Sequence, residues 1–419
     1  MFLARGLLTL LLMTALVVVL ADFLAMSDAS SESGIAEPPR WLPGTTYTLH
    51  ESARQATQLW GAQPDAAATL IRRSTERYPL DAGNWLALAR IEAARNGRQS
   101  DTLAADLAAA VSVRPFKRND RWQAAQIALH SGNLDLAEGH LRLWVKGAPS
   151  STRQALMIGQ RWLSDPDQLI DAVIPEGDDY LTQAMHFAYQ QRDTALADAV
   201  WQRIRTRIDF NDPVFLDYFD FLRDRGLTDQ AIAIWAEHDP YFGLGKVPNG
   251  EFSRELGPGR GLNWQLGRLP AGVRVMRDES EYYYRPASLR IDFDGKENVD
   301  LRVPRIEVPV EPGKTYALQG YWRGEGLTTR SLPYLTIVAE GSRDSRRIDV
   351  PKGDFDWSAW STTIQVPDAG RVIHLRLRRN SSNAFDRYIA GSLWLDGFKL
   401  DDVTGMEAGS RVDGIDQHE

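Results

Sequence analysis

The order of hydrophobic and polar residues changes once along the chain, near Gly243. Between residues 48 and 242, apolar positions recur with helical spacing, and strand-like alternation is scarce. From residue 243 to residue 404, glycine and proline become frequent and short runs alternate apolar with polar side chains, which is typical of strands. The pattern therefore predicts a multidomain α-then-β protein, with a helical domain at 48–242 and an antiparallel β-sandwich at 243–404.

A weak internal repeat runs through the helical segment. Pro79, Pro115 and Pro149 lie 36 and 34 residues apart, and Trp85 and Trp122 open the segments that follow the first two prolines. A period of about 34 residues, with small residues where helices cross, resembles the tetratricopeptide repeat. The resemblance implies an α-solenoid of helix-turn-helix units, which exposes a surface for a protein partner.

Alternation along the predicted strands separates core residues from outward-facing residues. The strands are expected at 288–293, 299–303, 315–323, 334–338, 362–366, 372–378 and 392–400. The outward-facing candidates are Gln319, Tyr321, Arg323, His374, Arg376 and Arg378. If their strands share one sheet, its outer surface is a row of arginines with a tyrosine and an amide among them. Guanidinium groups pair with carboxylates and aromatic rings stack on sugar C–H faces, so this row predicts a groove for an acidic polysaccharide. The alternative is a solvated face of paired arginine and aspartate.

Three consecutive tyrosines, Tyr282 to Tyr284, precede the strand that begins at Ser288. Side chains on a strand point alternately to opposite faces, so the three cannot all face the core and at least one should be exposed. Aromatic side chains on loops grip sugar rings, which makes Tyr283 a further carbohydrate-binding candidate.

The sandwich segment opens with Asn249-Gly250-Glu251-Phe252 and closes with Gly391-Ser392-Leu393-Trp394-Leu395-Asp396-Gly397-Phe398, with Trp264, Trp322, Trp357 and Trp360 between them. This order resembles the jelly-roll carbohydrate-binding modules that are appended to cellulases and xylanases. The resemblance implies a jelly-roll fold and a structural calcium ion, for which Glu251 and Asp396 are the candidate carboxylates. Ser253 and Gly397 depart from the family pattern, and the alternative is that Asp396 hydrogen-bonds a turn. No other cofactor is required.

The N-terminal residues predict export. Residues 6–21 carry no charge, and residues 2–21 approach the length of about 20 residues that a spanning helix needs. Val19-Leu20-Ala21 is also an acceptable cleavage site. We expect a signal-anchor or signal peptide at 1–25, a flexible linker at 26–47 and a disordered acidic tail at 405–419. The other domains are then periplasmic, either anchored to the inner membrane or secreted to the periplasm.

Composition narrows the chemistry. A net charge of −8 does not favour nucleic acid as a partner, and the absence of cysteine excludes disulfides, thiolate metal sites and a cysteine nucleophile. The seven histidines show no metal-ligand spacing, and no phosphate-binding loop or HExxH motif occurs. The sequence therefore predicts a protein that is not an enzyme.

Together these features predict a non-catalytic cell-envelope scaffold. Its helical repeats would bind a protein partner and its sandwich a polysaccharide, and the architecture resembles that of proteins in bacterial exopolysaccharide or O-antigen assembly and export. Two alternatives stay open. One is a polysaccharide lyase, for which Tyr282–Tyr284 and His238 near the domain junction are candidates, or another glycan-active enzyme with a helical domain and a β-sandwich. The other is a protein-only assembly module, which would expose an apolar patch.

Overall fold

The structure is a computed structural model. It describes residues 13, 16, 17, 20, 64–96, 100–383, 385 and 387–406. The predicted signal or anchor segment, the linker and the acidic tail lie outside these residues, apart from four positions of the first segment and residues 405 and 406. Within the described part of the chain, no helix is long and apolar enough to cross a membrane.

The first part of the described chain is helical and the last part is built of antiparallel sheets, as the hydrophobic pattern predicts. The α-helices found there are α1 (Pro64–Arg77), α2 (Ala82–Asn96), α3 (Asp101–Val113), α4 (Arg118–Ser131), α5 (Leu134–Val145), α6 (Thr152–Gly159), α7 (Pro166–Val173), α8 (Asp178–Gln191), α9 (Thr194–Ile204), α10 (Pro213–Asp224) and α11 (Thr228–His238).

The chain divides into two compact units, Met1–Val200 and Trp201–Glu419. The second unit contains α10 and α11 as well as the described strands. The domain boundary that the sequence suggests lies about one helical hairpin later, and the predicted domain ranges stay a prediction.

Contacts in the first unit recur at a constant distance along the chain. Several hydrogen bonds there join residues that are 33 positions apart, as expected when helical hairpins of similar length stack on one another. Ala124 and Ala128 of α4 are fully buried, so small side chains lie where the helices pack. That the hairpins are tetratricopeptide repeats stays a prediction. The bonded pairs are Arg90 with Gln123, Arg118 with Ser151, Gly147 with Tyr180, and Gln160 with Asp193.

The described strands of the second unit form two antiparallel sheets. One has the order β1-β2-β9-β4-β7 and the other the order β3-β8-β5-β6. From β3 onward most connections cross from one sheet to the other, as in a jelly roll. The strands are β1 (Val273–Asp278), β2 (Ser288–Asp294), β3 (Arg305–Pro309), β4 (Thr315–Glu325), β5 (Tyr334–Ala339), β6 (Ser345–Asp349), β7 (Phe355–Gln365), β8 (Val372–Arg378) and β9 (Ala390–Asp402).

The two sheets enclose one hydrophobic core, so the strands of the second unit form a β-sandwich. Leu318 and Trp322 of β4, Ile291 of β2, and Leu375 and Leu377 of β8 are all buried in it. These are the inward positions that the alternation predicts, because successive side chains of a strand point to opposite faces.

One predicted strand is wrong and three strands were not predicted. Residues 299–303 make only a single bridge, between Leu301 and Arg379. Val299 and Leu301 are buried nonetheless, so a loop that lies against the core imitates strand alternation. β1, β3 and β6 were not predicted, and each of them lies at the edge of its sheet.

The hairpin of α10 and α11 packs against the segment that leads into the sandwich. A Cβ atom on Gly261 would lie 2.1 Å from the ring of Trp235, so the backbone there approaches α11 as closely as only glycine permits. Arg260 forms ion pairs of 2.8 and 2.6 Å with Asp217 and Asp220 of α10. These contacts explain why both helices belong to the second unit.

Candidate functional site

Part of the predicted site lies on the outer face of the five-stranded sheet. In β4, buried side chains alternate with Gln319, Tyr321 and Arg323, which are half-buried on the opposite face. The predicted orientation of these three side chains is therefore correct.

A cluster of aromatic rings covers this face. The Tyr283 ring stacks on Tyr321, with ring centres 3.6 Å apart and planes inclined by 13°. Tyr284 stands nearly perpendicular to both rings, and the ring of Trp357 lies 5.9 Å from that of Tyr283. Tyr283 and Tyr284 remain 40% and 43% exposed. We call Tyr283, Tyr284, Tyr321 and Trp357 the tyrosine cluster; it offers aromatic surface to solvent.

Asp396 of β9 holds the tyrosine segment in place. Its carboxylate accepts N–H hydrogen bonds of 2.8 and 2.7 Å from the backbone of Tyr283 and Tyr284, and one of 2.7 Å from Gly397. The side chain is fully buried, and this burial raises the pKa of Asp396 to about 6, although the three N–H donors oppose the rise. Asp396 therefore positions the tyrosines from beneath.

The candidate calcium carboxylates do not form a recognisable metal site. The oxygens of Asp396 already accept three N–H groups, and in the searched part of the chain no three His, Cys, Asp or Glu residues are grouped to hold an ion. Glu251 acts on Asp396 as a neighbouring negative charge. The geometry matches the alternative in which Asp396 hydrogen-bonds a turn, and calcium binding stays a prediction that this geometry does not favour.

Arg290 and Arg323 of the five-stranded sheet are paired with carboxylates. Arg323 bonds Glu281 at 2.9 Å, and the guanidinium groups of Arg323 and Arg290 each lie 5.0 Å from the ring of Trp394. The indole N–H of Trp394 donates to Asp278 at 2.9 Å. Burial would raise the pKa of Asp278, but the hydrogen bonds from Ser280, Trp394 and Arg290 outweigh it and hold the pKa at about 2. The solvated, charge-paired alternative therefore describes Arg290 and Arg323.

A cleft of about 560 Å³ adjoins the tyrosine cluster. The cleft is lined by Tyr284, by the predicted residues Gln319 and Glu251, and by Tyr241. Tyr241 is 70% exposed, and the guanidinium of Arg254 lies 4.4 Å from the centre of its ring. The size and the mixture of aromatic and polar side chains suit a small ligand or a segment of a polymer. Further polar lining residues are Lys246, Asn249, Ser253, Lys399 and Asp401.

Sequence reasoning missed most of this cleft. Tyr241 follows the end of α11 and carries no pattern of its own. Lys399 could have been found, because it breaks the apolar run of β9 at an exposed position. Tyr284 stands out in the sequence only as one of three adjacent tyrosines.

The other predicted arginines lie on the opposite sheet, so the single predicted row is wrong. His374, Arg376 and Arg378 do project outward from β8, but β8 belongs to the four-stranded sheet while β4 belongs to the five-stranded sheet. Nδ1 of His374 lies 3.4 Å from Glu307 of β3. Strand order, which alternation does not reveal, separates the two sets.

His238, the histidine of the lyase alternative, lies on α11 among aromatic rings. Its ring centre is 5.3 Å from Trp201 and 5.0 Å from Phe215, and its nitrogens are 2.9 and 3.3 Å from the carbonyl oxygens of Ile234 and Arg205. Both ring nitrogens of His238 thus have backbone carbonyl partners in the helical part of the unit. The lyase alternative stays a prediction.

Comparison with known proteins gives no family for the chain. No protein-family model matches it and no curated protein matches it. Among solved structures, it is similar to the CBM22-1 xylan-binding domain of Xyn10C from Paenibacillus barcinonensis (18% identity, 39% of this chain and 98% of that chain, TM-score 0.25). It is also similar to a family 4 carbohydrate-binding module (16%, 37% and 99%, TM-score 0.26) and to the enzymatically active domain of tailspike protein 4 of bacteriophage CBA120 (14%, 40% and 22%, TM-score 0.27). Similarities this weak support no inference about function, which has to come from the residues of this chain.

Proposed function

We propose that the β-sandwich binds a polysaccharide through the tyrosine cluster and the adjoining cleft, without catalysing a reaction on it. The observation that carries the proposal is the pair of exposed tyrosines that a buried carboxylate holds on one sheet face. Protein surfaces seldom keep several large aromatic rings together in solvent unless the rings contact a ligand.

The arrangement suits sugars because it combines flat rings with polar groups. The free faces of Tyr283 and Tyr284 offer apolar area to sugar C–H groups, and the phenol of Tyr284 adds a hydroxyl group that can hydrogen-bond a sugar. Gln319 and Lys399 line the cleft beside Tyr284 and can bond sugar hydroxyl groups. The rings are amphipathic tyrosines rather than aliphatic side chains, which favours a sugar over the apolar partner of a protein-only module.

A binding role fits the chemistry of Asp396 better than a catalytic one. Asp396 combines deep burial with a raised pKa, which are features of catalytic acids. Its oxygens, however, are taken up by three backbone N–H groups beneath the tyrosines, so it does not reach a ligand in the cleft. Asp396 is therefore a positioning residue.

The proposal extends to a scaffold in the cell envelope. Stacked helical hairpins expose extended surfaces for protein partners, and a groove of about 450 Å³ on α2 and α4 is lined by Ala93, Ala94 and Ile127 with Arg90 and Gln123 beside them. With the export segment predicted from the sequence, this layout suits a protein that holds a glycan near its assembly or export machinery, such as that for exopolysaccharide or O-antigen.

The test is affinity electrophoresis of the full chain in gels that contain neutral or acidic polysaccharides. We expect Tyr284→Ala to lose about tenfold in affinity for the retained polymer, because it removes a stacking ring at the centre of the site. Tyr388→Ala is the matched control, since Tyr388 is 44% exposed in the same unit but lies outside the cluster. Equal retention of the two variants would refute binding at the cluster.

A further inference from the structure

A second group of outward-facing side chains lies on the other side of the sandwich, across the four-stranded sheet. Arg305 of β3 pairs in register with Arg376 of β8, Arg376 with Thr336 of β5, and Thr336 with Arg347 of β6. Arg378 follows Arg376 on the same face of β8. We call Arg305, Arg347, Arg376 and Arg378 the arginine row.

The arginine row is poorly neutralised by the protein itself. Among the described residues, Arg305, Arg376 and Arg378 form no ion pair, whereas Arg347 bonds Asp349 at 2.6 Å. Nε of Arg378 is buried without a hydrogen-bond partner in that part of the chain. Glu307 of β3, whose negative charge also acts on Arg376, bonds Arg223 of α10 at 3.0 Å and lies 3.4 Å from His374.

Electrostatics within the row is unfavourable in the absence of an anion. Burial lowers the pKa of Arg376, and the positive charges of Arg305, Arg378 and Arg302 lower it further. Like charges on neighbouring strands lie about 5 Å apart at the backbone and destabilise a sheet unless counter-charges compensate them. The contrast with the five-stranded sheet, where Arg290 and Arg323 are paired with carboxylates, is direct.

We infer that the arginine row binds carboxylate or sulfate groups of an anionic polysaccharide. Arg305 and Arg376 can grip one anionic group between them with their planar donor forks, and Arg347 lies about 10 Å further across the strands for a second. A ligand with regularly spaced anions would thus run across the strands. The choice of a glycan rests on the proposed function, because the same sandwich carries the tyrosine cluster on its other face.

Nucleic acid fits this surface less well. Base stacking needs exposed aromatic rings, and on the four-stranded sheet the Tyr334 ring is 7% exposed and covered by the guanidinium of Arg347, 3.7 Å from its centre. The middle of the row is Thr336, which offers a hydroxyl group rather than a ring. Polar and cationic groups without stacking surface favour an anionic sugar chain.

The experiment measures retention of the full chain by polygalacturonate and by its fully methyl-esterified form, which keeps the sugar backbone but lacks the charge. The test variant is Arg305→Gln/Arg376→Gln. The control is Arg73→Gln/Arg153→Gln, which removes the same charge from exposed positions of the helical unit. Alginate and dextran sulfate serve as additional anionic probes, and vesicles of anionic phospholipid and single-stranded DNA as competing ligands.

We expect retention of the wild type by at least one anionic polymer at about 20 mM salt, and weakening at about 500 mM. The Arg305/Arg376 variant should lose about tenfold in that affinity, while its melting temperature does not fall and its retention by the neutral ester is unchanged. The inference fails if no anionic polymer retains the wild type, if the control pair loses as much, or if only vesicles or DNA bind through the row. Loss of binding in Tyr284→Ala but not in the arginine variant would leave the proposed function standing and refute the arginine row alone.

Discussion

Asp396 is a carboxylate that lies out of contact with solvent while its oxygens accept backbone N–H groups from two segments of the chain. Ionised carboxylates avoid burial unless donors replace the lost water. Here the donors are the N–H groups of Tyr283, Tyr284 and Gly397, and they do not offset the burial fully, because the pKa is still raised to about 6. Burial of the Asp396 carboxylate thus costs stability, while its hydrogen bonds fix the backbone of Tyr283 and Tyr284.

The raised pKa of Asp396 predicts that the stability of the protein depends on pH. Since the pKa of Asp396 is raised from 3.8 to about 6 in the folded protein, its contribution to stability is fully present below 3.8 and is lost as the pH rises through about 6. Asparagine does not titrate. The melting temperature of the wild type minus that of Asp396→Asn should therefore be largest near pH 4 and should shrink towards about pH 7.

Differential scanning fluorimetry across this pH range checks the trend. Asp344→Asn is the control, because Asp344 is an exposed carboxylate of the same unit. A difference that grows with pH would mean that the three N–H donors outweigh the burial and that the ionised form is the more stable one in the fold.

For single residues, the sequence pattern predicts which face of the sheet a side chain occupies, but not which other residues it contacts. Alternation alone places Gln319, Tyr321 and Arg323 on the outer face, since Leu318 and Trp322 of the same strand are large, apolar and in the opposite phase. The stacking of Tyr283 on Tyr321 was not predictable, because it depends on Asp396, which is 113 residues from Tyr283 along the chain.

Among the elements, β9 carries the irregularity that shapes the site. Its pairing with β4 shifts register between Gln319 and Tyr321, and Gly397 lies in the shifted segment with φ of 61°. A Cβ atom on Gly397 would come within 2.8 Å of Tyr284 and 2.9 Å of Tyr321. The bulge and its glycine thus make room for the tyrosine cluster.

Gly397→Ala should therefore destabilise the protein and weaken glycan retention together. The left-handed backbone alone costs roughly 1–2 kcal/mol for a residue with a Cβ atom, and the contact with the tyrosine rings adds to that. Gly353→Ala separates the two effects, because Gly353 has φ of 78° but open space around its Cβ position. Urea unfolding measures both variants; equal losses of unfolding free energy would show that the rings yield without cost.

Two of the three missed strands, β1 and β6, are less buried than the predicted strands inside the sheets. β4 and β8 lie within their sheets and alternate strongly, so the apolar period marks them. β1 and β6 lie at sheet edges and are mostly exposed or half-buried, so no apolar period distinguishes them from loops.

For the molecule as a whole, strand order decides which surfaces exist. The outward residues of β4 and β8 share a pattern but point away from opposite sides of one core. The two candidate surfaces are therefore separate, one aromatic and one cationic. The sequence alone does not show whether the outward residues of β4 and β8 lie on one sheet face or on two, because neighbouring strands in a sheet need not be neighbours along the chain.

Because the second unit includes α10 and α11, we expect the stability of the sandwich to depend on these two helices. A fragment of residues 201–406 should melt at a higher temperature than a fragment of residues 243–406. The shorter fragment exposes the surface that Trp235 covers and leaves Arg260 without Asp217 and Asp220. Circular dichroism melts of the two fragments make the comparison. Identical melting temperatures would indicate that the helical hairpin only rests on the sandwich.

The anchoring of Tyr283 and Tyr284 by Asp396 also bears on the entropy of recognition. A loop that becomes ordered only on ligand binding loses conformational entropy in that step, and this loss lowers the affinity. Here two backbone N–H groups are already held in the free protein, so the ordering has taken place during folding. Ligand capture by this surface should then carry a small unfavourable entropy for its contact area, which calorimetry would register as a difference between the wild type and Asp396→Asn.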